Sequence, residues 1–197
     1  TLINASPDII CFKDGEGRWL EANETDLGVF SLNGVDYKGK TDLELADYTL
    51  PVFKDAFSTC AFSDEKAWEM GCLSHLEERI PNGTGSERVF DVVKIPVFSD
   101  AEKKERKGLV VIGRDITDVK KAHEIMIRQN ALMTSLMNSI PDIVFFKDTK
   151  GVFLGCNPAY CDVVGRKPEE IIGLTDYDFF PEAIAEGFSV KDRQMIA

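Results

Sequence analysis

Apolar residues cluster over positions 9–13 (IICFK), break at Asp14, Gly15, Glu16 and Gly17, and resume over 18–22. Two short runs around a glycine-bearing turn predict a β-hairpin, glycine supplying the positive φ. Asn23 is placed to cap a following helix, along which Leu27, Phe30 and Ser31 fall at helical spacing and which Asn33 and Gly34 are expected to end. Residues 51–70 read as helical, with Phe53, Ala56, Phe57, Cys60, Ala67 and Trp68 on one stripe and Ser63 a candidate cap where the helix breaks and restarts. Three longer strands are expected over 72–80, 87–98 and 107–117. The first two are joined by the turn PNGTG, and the third is entered through the charged run 100–106. Two strands, several helices and three strands predict an α+β fold, an antiparallel sheet with helices on one face. Residues 89–97 and 109–112 are apolar on both faces, so the second face of the sheet is expected to be covered by a helix or another subunit.

Residues 118–140 read as one helix. Val119, Ala122, Met126, Gln129, Met133, Leu136 and Ile140 are spaced alternately by 3 and 4, a heptad seam with one polar member. About 20 helical residues span roughly 30 Å. The seam predicts a homodimer through this helix or through the sheet face; an amphipathic helix lying on its own domain would share the pattern.

The chain repeats itself. Residues 4–23 (NASPDIICFKDGEGRWLEAN) and 138–157 (NSIPDIVFFKDTKGVFLGCN) are identical at ten of twenty positions at a constant offset. Gly39, Thr41 and Asp42 continue the register against Gly173, Thr175 and Asp176, and Asp64 pairs with Asp192 after a six-residue shortening. Three segments follow: a complete domain over 1–117, a linker helix over 118–137, and the front part of a second copy over 138–197, whose remainder is expected to follow in the natural protein.

Composition narrows the class. The 197 residues are 44% hydrophobic and 29% charged, an ordinary globular balance, with a net charge of -11 that argues against nucleic-acid or anionic-membrane partners. No apolar stretch approaches the roughly 20 residues of a membrane span, and no secretory signal opens the chain. Five cysteines without a CxxC or Cys/His cluster fit reduced thiols, and a cytoplasmic location is expected. No phosphate loop, GxGxxG, HExxH or nucleophile elbow is present, so no enzyme activity is expected of this chain.

Both copies resemble PAS sensory domains of the bacterial "sensory box" kind. The resemblance rests on PDIICFKDGEGRWLEAN and PDIVFFKDTKGVFLGCNPAY, on GKTDLEL and GLTDYDFFPE, and on KIPVF and GLVVIGRDITDVKKAHE. It departs from the family at the long charged run 99–107, where an Asp-x-x-Gly turn is usual. The resemblance implies a five-stranded antiparallel sheet cupping small helices around a pocket. It also implies a signal-input role in a protein such as a histidine kinase or diguanylate cyclase, a small molecule or cofactor state being relayed through the exit helix. A ligand-free dimerisation and relay module is the alternative.

Within that frame, Phe53, Phe57, Cys60 and Trp68 are expected to look into the pocket, with Asp64 on or near their face and needing an Arg, a backbone amide or a ligand as partner. Ser74 lies on the inner side of its strand, and His75 is expected to point away. Asp115 and Thr117 are the signal-relay candidates, Thr117 capping the helix from Asp118. Val119, Met126, Met133 and Leu136 form the dimer seam. No metal site is expected. With His75 outward and His123 in the linker, haem is not expected, and the absence of an Asn-Cys-Arg-Phe-Leu run leaves cysteinyl-flavin chemistry unsupported. Non-covalent flavin or a small metabolite stays open.

Overall fold

The computed structural model of the chain describes residues 2–100, 102 and 105–196. Lys103, Lys104 and Ala101 of the charged run lie outside the described residues. The chain divides between Ala122 and His123 into two compact units, each described by itself.

Unit 1 opens with the expected hairpin, β1 (Ile9–Asp14) and β2 (Trp19–Ala22). The Asp14 carboxylate accepts the N–H groups of Glu16 and Arg18, both at 2.9 Å, and Gly17 takes φ +78° to close the turn. Asn23, fully buried, caps α1 (Glu24–Val29): its side-chain oxygen accepts from Asp26 N and Ile10 N while its amide donates to Asp8 O at 2.8 Å. The helix stops before Asn33, earlier than its sequence suggested. Ser31 takes φ +56°, and Leu32 N–H donates back to Leu27 O at 2.8 Å, a left-handed closure that buries Leu32 completely.

A single turn, α2 (Asp42–Leu45), is held by a capping box between Thr41 and Glu44. After the 3₁₀ turn Pro51–Phe53, α3 (Lys54–Met70) runs unbroken to a left-handed cap at Gly71, φ +61°. Ser63 does not restart it. Its hydroxyl is buried mid-helix and donates to Glu78 Oε1 at 2.6 Å, so tertiary contacts use the group that capping would need.

The strands β3 (Ser74–Pro81), β4 (Glu87–Phe98) and β5 (Arg106–Asp115) complete an antiparallel sheet of order β2-β1-β5-β4-β3. Register sets Cys11 against Val111, Val92 against Gly113, and Leu76 against Val92. Ile9, Cys11 and Val92 therefore face the helices, where they pack with Trp19, Phe30, Leu45, Phe53 and Phe57. Phe30 and Phe57 lie 4.6 Å apart, centroid to centroid. Each such side chain contributes roughly 1.5–3 kcal/mol by leaving water. Alternation sends Val93, Ile95, Val110 and Ile112 to the other face, where they are half-buried or exposed.

The helix α4 (Thr117–Ser139) follows β5 and buries no residue. Unit 2 repeats the front of unit 1: β6 (Phe145–Lys147) pairs with β7 (Phe153–Cys156), and Asn157 caps α5 (Pro158–Val164) as Asn23 caps α1. The helix α6 (Glu182–Ile196) stands where unit 1 has α3. Phe153, Tyr160 and Ile171 form its core.

Candidate functional site

Strand alternation carries Lys13 inward, in phase with Ile9 and Cys11, and Lys94 inward, in phase with Phe90 and Val92. Two ammonium groups thereby enter the core, and a lysine is buried only with partners. Lys13 Nζ lies 2.7 and 2.6 Å from the two carboxylate oxygens of Asp42 and 2.5 Å from Asp64 Oδ2. Lys94 Nζ lies 2.6 Å from Asp64 Oδ1, 3.0 Å from Glu78 Oε1 and 2.5 Å from Ser63 Oγ. Trp19 Nε1–H donates to Asp42 Oδ1 at 2.6 Å, and Cys60 Sγ–H donates to Glu78 at 3.5 Å. The result is one continuous network joining β1, α2, α3, β3 and β4. Asp64 is its centre, a bridge between two lysines.

Burial works against the Lys13 charge, but Asp42 and Asp64 outweigh it and hold the ammonium well above its usual pKa. Lys94 is raised the same way, burial being overcome by Asp64 and Glu78. Burial also opposes the Asp64 charge, yet Lys13 and Lys94 together pull its carboxyl below the usual range. Asp42 has one lysine instead of two, so burial and the neighbouring Asp64 push it up.

A cavity of about 30 Å³ lies beside this network, walled by Lys13, Glu78, Lys94, Phe57, Cys60 and Asp26 among others. Such a volume is the size that holds a single water. Asp26 is 3% exposed, and its carboxylate has no hydrogen-bond or ion-pair partner among the described residues. Burial, only partly offset by Lys13, pushes it up to about 7. The interior thus holds two cations against three paired carboxylates, with Asp26, a fourth acid, on the cavity wall.

Of the side chains expected here, Phe57 and Cys60 line the cavity and Asp64 lies in the network beside it. The partners of Asp64 are lysines, not an arginine or a backbone amide. Phe53 packs on Phe30 within the core and does not reach the cavity wall. Trp68 does not line this cavity: it packs on Phe98 and Leu109 under the guanidinium of Arg106, and with Asp64 and Arg106 it lines a separate pocket of about 240 Å³. It shares the face of Phe57 but lies eleven residues on, about 16 Å along the helix and past the cavity. Ser74 is buried, and its hydroxyl has no hydrogen-bond partner among the described residues; it lies off the cavity wall. His75 points outward, exposed and paired with Asp91. Lys13, Asp42, Glu78 and Lys94 were not anticipated, although Lys13 and Asp42 recur as Lys147 and Asp176 in the repeat.

At the exit of the sheet, Asp115 meets the first N–H of the helix in place of Thr117. Asp115 Oδ1 accepts the Thr117 N–H at 2.9 Å and also the Thr117 hydroxyl, so the aspartate does the capping. Thr117 itself begins the helix, and its Oγ1 accepts Val89 N–H of β4 at 2.9 Å; Ile116 N–H donates to Val89 O at the same distance. Val89 is thereby clamped on both backbone groups to the start of α4. The seam side chains Val119, Met126, Met133 and Leu136 are all more than half exposed.

Unit 2 rebuilds the first half of the network. Lys147 Nζ lies 2.5 Å from Asp176 Oδ2 and 2.8 Å from Asp192 Oδ2. Phe153 stands where Trp19 does, so no indole donor reaches Asp176. Counterparts of Glu78 and Lys94 are absent from the described residues, and the Lys147 set opens on a groove of about 610 Å³.

A family model described as "PAS fold" matches residues 3–121 and 137–197. The aerobic respiration control sensor protein ArcB of Escherichia coli K12 is 24% identical over 140 residues, 71% of this chain and 17% of that protein. The uncharacterized protein y4lL of Sinorhizobium fredii is 40% identical over 58 residues, 29% of this chain and 7% of its own length. The chain therefore spans less than a fifth of either relative. Among solved structures, the phage VqmA–DPO complex aligns with a TM-score of 0.50 at 17% identity, covering 86% of this chain and 72% of that one. The PAS domain of Bordetella pertussis BvgS aligns at a TM-score of 0.47 and 24% identity, covering 64% and 93%. No helix among the described residues is long and apolar enough to cross a membrane.

Proposed function

This chain belongs to the PAS-fold family, and from that premise we propose that it is the signal-input region of a cytoplasmic bacterial signalling protein such as a histidine kinase or diguanylate cyclase. Unit 1 senses, α4 relays, and the chemical output is the work of other parts of the protein. The observation that carries this reading is the clamp at Val89. The strand that places Lys94 against the cavity network is tied, through both backbone groups of Val89, to the first turn of α4. A change of occupant beside Asp26 alters the charge balance facing Lys94, and a shift of β4 reaches the helix without an intervening loop. An occupant acts only through different affinity for the two positions of that strand.

Asp26 defines the input chemistry. Its free carboxyl asks for a small hydrogen-bond donor or cation, and the acidic surroundings disfavour anions. A flavin ring system finds no room in a 30 Å³ cavity, so a bulky cofactor requires the sheet and α3 to part. The same small volume favours a second reading, a ligand-free dimerisation and relay module using the seam of α4 or the outer face at Val93, Ile95, Val110 and Ile112. Native and denaturing mass spectra of the purified chain separate the two. A reproducible adduct lost on denaturation, and lost in Asp26→Asn, supports sensing. A clean apo mass with a dimer that persists on dilution overturns sensing and supports the relay module.

A further inference from the structure

We propose that Cys156 and Cys161 of unit 2 form a dithiol site that oxidises reversibly to an internal disulfide. Cys156 ends β7 and Cys161 lies in the first turns of α5, so the strand-to-helix corner at Asn157 folds the two thiols together. Their sulfurs are 3.6 Å apart, in contact, and both residues are partly open to solvent. A disulfide requires about 2 Å, a closure within reach of side-chain rotation across a corner that is already formed. The fold does not require these cysteines: the matching positions of unit 1 are Ala22 and Leu27. The other three thiols are differently placed, with Cys11 and Cys60 buried in unit 1 and Cys72 exposed.

Burial, together with the neighbouring sulfur, pushes the Cys156 thiol up to about 11, which disfavours Cys156 as the first nucleophile. That assigns the order of events. With hydrogen peroxide as oxidant, the Cys161 thiolate attacks one peroxide oxygen; the O–O bond breaks, and the leaving hydroxide takes the proton given up by Cys161 to become water. Cys161 is then a sulfenic acid. The Cys156 sulfur attacks it, the S–S bond forms, the S–O bond breaks, and a second water leaves with the Cys156 proton. One peroxide is reduced to two waters while two thiols are oxidised, and a small dithiol reverses the change.

The corner being cross-linked is a junction. Asn157, between the two cysteines, donates its side-chain amide to Ile140 O and Asp142 O at 3.1 and 2.8 Å, just after the end of α4. Fixing Cys156 to Cys161 therefore fixes the residue that anchors the entry to unit 2.

Trypsin releases both cysteines in one peptide, residues 151–166. The test treats the whole chain, carrying Cys72→Ser, with hydrogen peroxide and then alkylates it without reductant. The expected result is a peptide lighter by two hydrogen atoms that takes up no alkyl group, and that takes up two after dithiothreitol. Cys156→Ala, which copies unit 1, is expected to trap Cys161 as a sulfenic acid that reacts with dimedone. Cys161→Leu, which also copies unit 1, is expected to leave Cys156 reduced at the same dose. A doubly alkylated peptide after peroxide, with the Cys72 parent oxidised under the same treatment, overturns the proposal, as does oxidation of Cys156 at an undiminished rate in Cys161→Leu.

Discussion

Lys13 and Asp64, 51 residues apart in sequence, meet at 2.5 Å in the interior of unit 1, and each is less than a tenth exposed. The contact ties the first strand to the middle of α3. Its copy in unit 2, Lys147 with Asp192, spans 2.8 Å, but there the aspartate is 34% exposed. One ion pair thus occurs twice in one chain, dry in one copy and wet in the other.

That contrast predicts unequal costs. Lys13→Met leaves the buried Asp42 without a cation and Asp64 with Lys94 alone, and removing one partner of a buried pair typically costs about 3–5 kcal/mol. Lys147→Met leaves Asp176 buried without its cation but Asp192 within reach of water, and is expected to cost less. Urea unfolding followed by hydrogen exchange in each unit checks this, and equal losses would show that the solvent around Asp192 does not matter.

Asp26 makes the stability of unit 1 depend on pH in the direction opposite to an ordinary paired carboxylate. Unfolded, the group ionises near 3.8; folded, it holds its proton to about 7. Below about pH 4 it is protonated in both states and costs nothing. Between there and pH 7 the unfolded chain gains the charge first, so stability falls as pH rises, by an amount on the order of 4 kcal/mol once both states are ionised. Asp26→Asn is expected to stabilise the chain at pH 8 and to do so much less at pH 5. Denaturant midpoints of parent and variant at the two pH values report it; a pH-independent difference would mean that Asp26 does not titrate in this range.

Thr117→Val removes the acceptor of the Val89 N–H while keeping the side chain's shape. The expected loss is about 1–3 kcal/mol for the donor left unsatisfied. Faster exchange should appear at the Val89 amide and in the first turn of α4, with the β1–β2 hairpin unchanged. Uniformly faster exchange throughout unit 1 would indicate general loosening in place of a released clamp.

Met126→Glu and Met133→Glu each place a charge on the exposed seam of α4. Both are expected to shift sedimentation toward the monomer relative to the parent. A parent dimer unaffected by either variant places the interface elsewhere, and Ile112→Glu on the outer sheet face is then the variant that should disrupt it.

Much of the architecture was legible because it is local. The turn at Gly17, the cap at Asn23 and the alternation of the three long strands are properties of a few adjacent residues, and the repeat supplied a second reading of the first two. The network was not legible because its members look like surface residues one at a time. Lys13 sits in a run that ends FKD, and only its phase with Ile9 and Cys11, together with its return as Lys147, marks it as inward. Lys94 carries the same kind of phase signal, with Phe90 and Val92, but has no repeat to reinforce it. Glu78 falls on the inner face of its strand, between Leu76 and Ile80, where an acid is unexpected until Lys94 is known to be opposite. Trp68 lies apart from Phe57 and Cys60 for a different reason: helical periodicity gives the face of a side chain but not how far along the axis its neighbours extend.

The 23 residues of α4 extend about 34 Å without one buried side chain. Its first turn is tied to unit 1 by Thr117 on Val89 and by Lys120 on Glu77, and the backbone just past its last turns accepts from Asn157 in unit 2. Between those ties no side chain of the helix is buried among the described residues. In mechanical terms it is a shaft with its apolar side chains outward: turning it about its own axis displaces no buried side chain of its own, and a partner that grips the exposed methionines sets how far torque is carried.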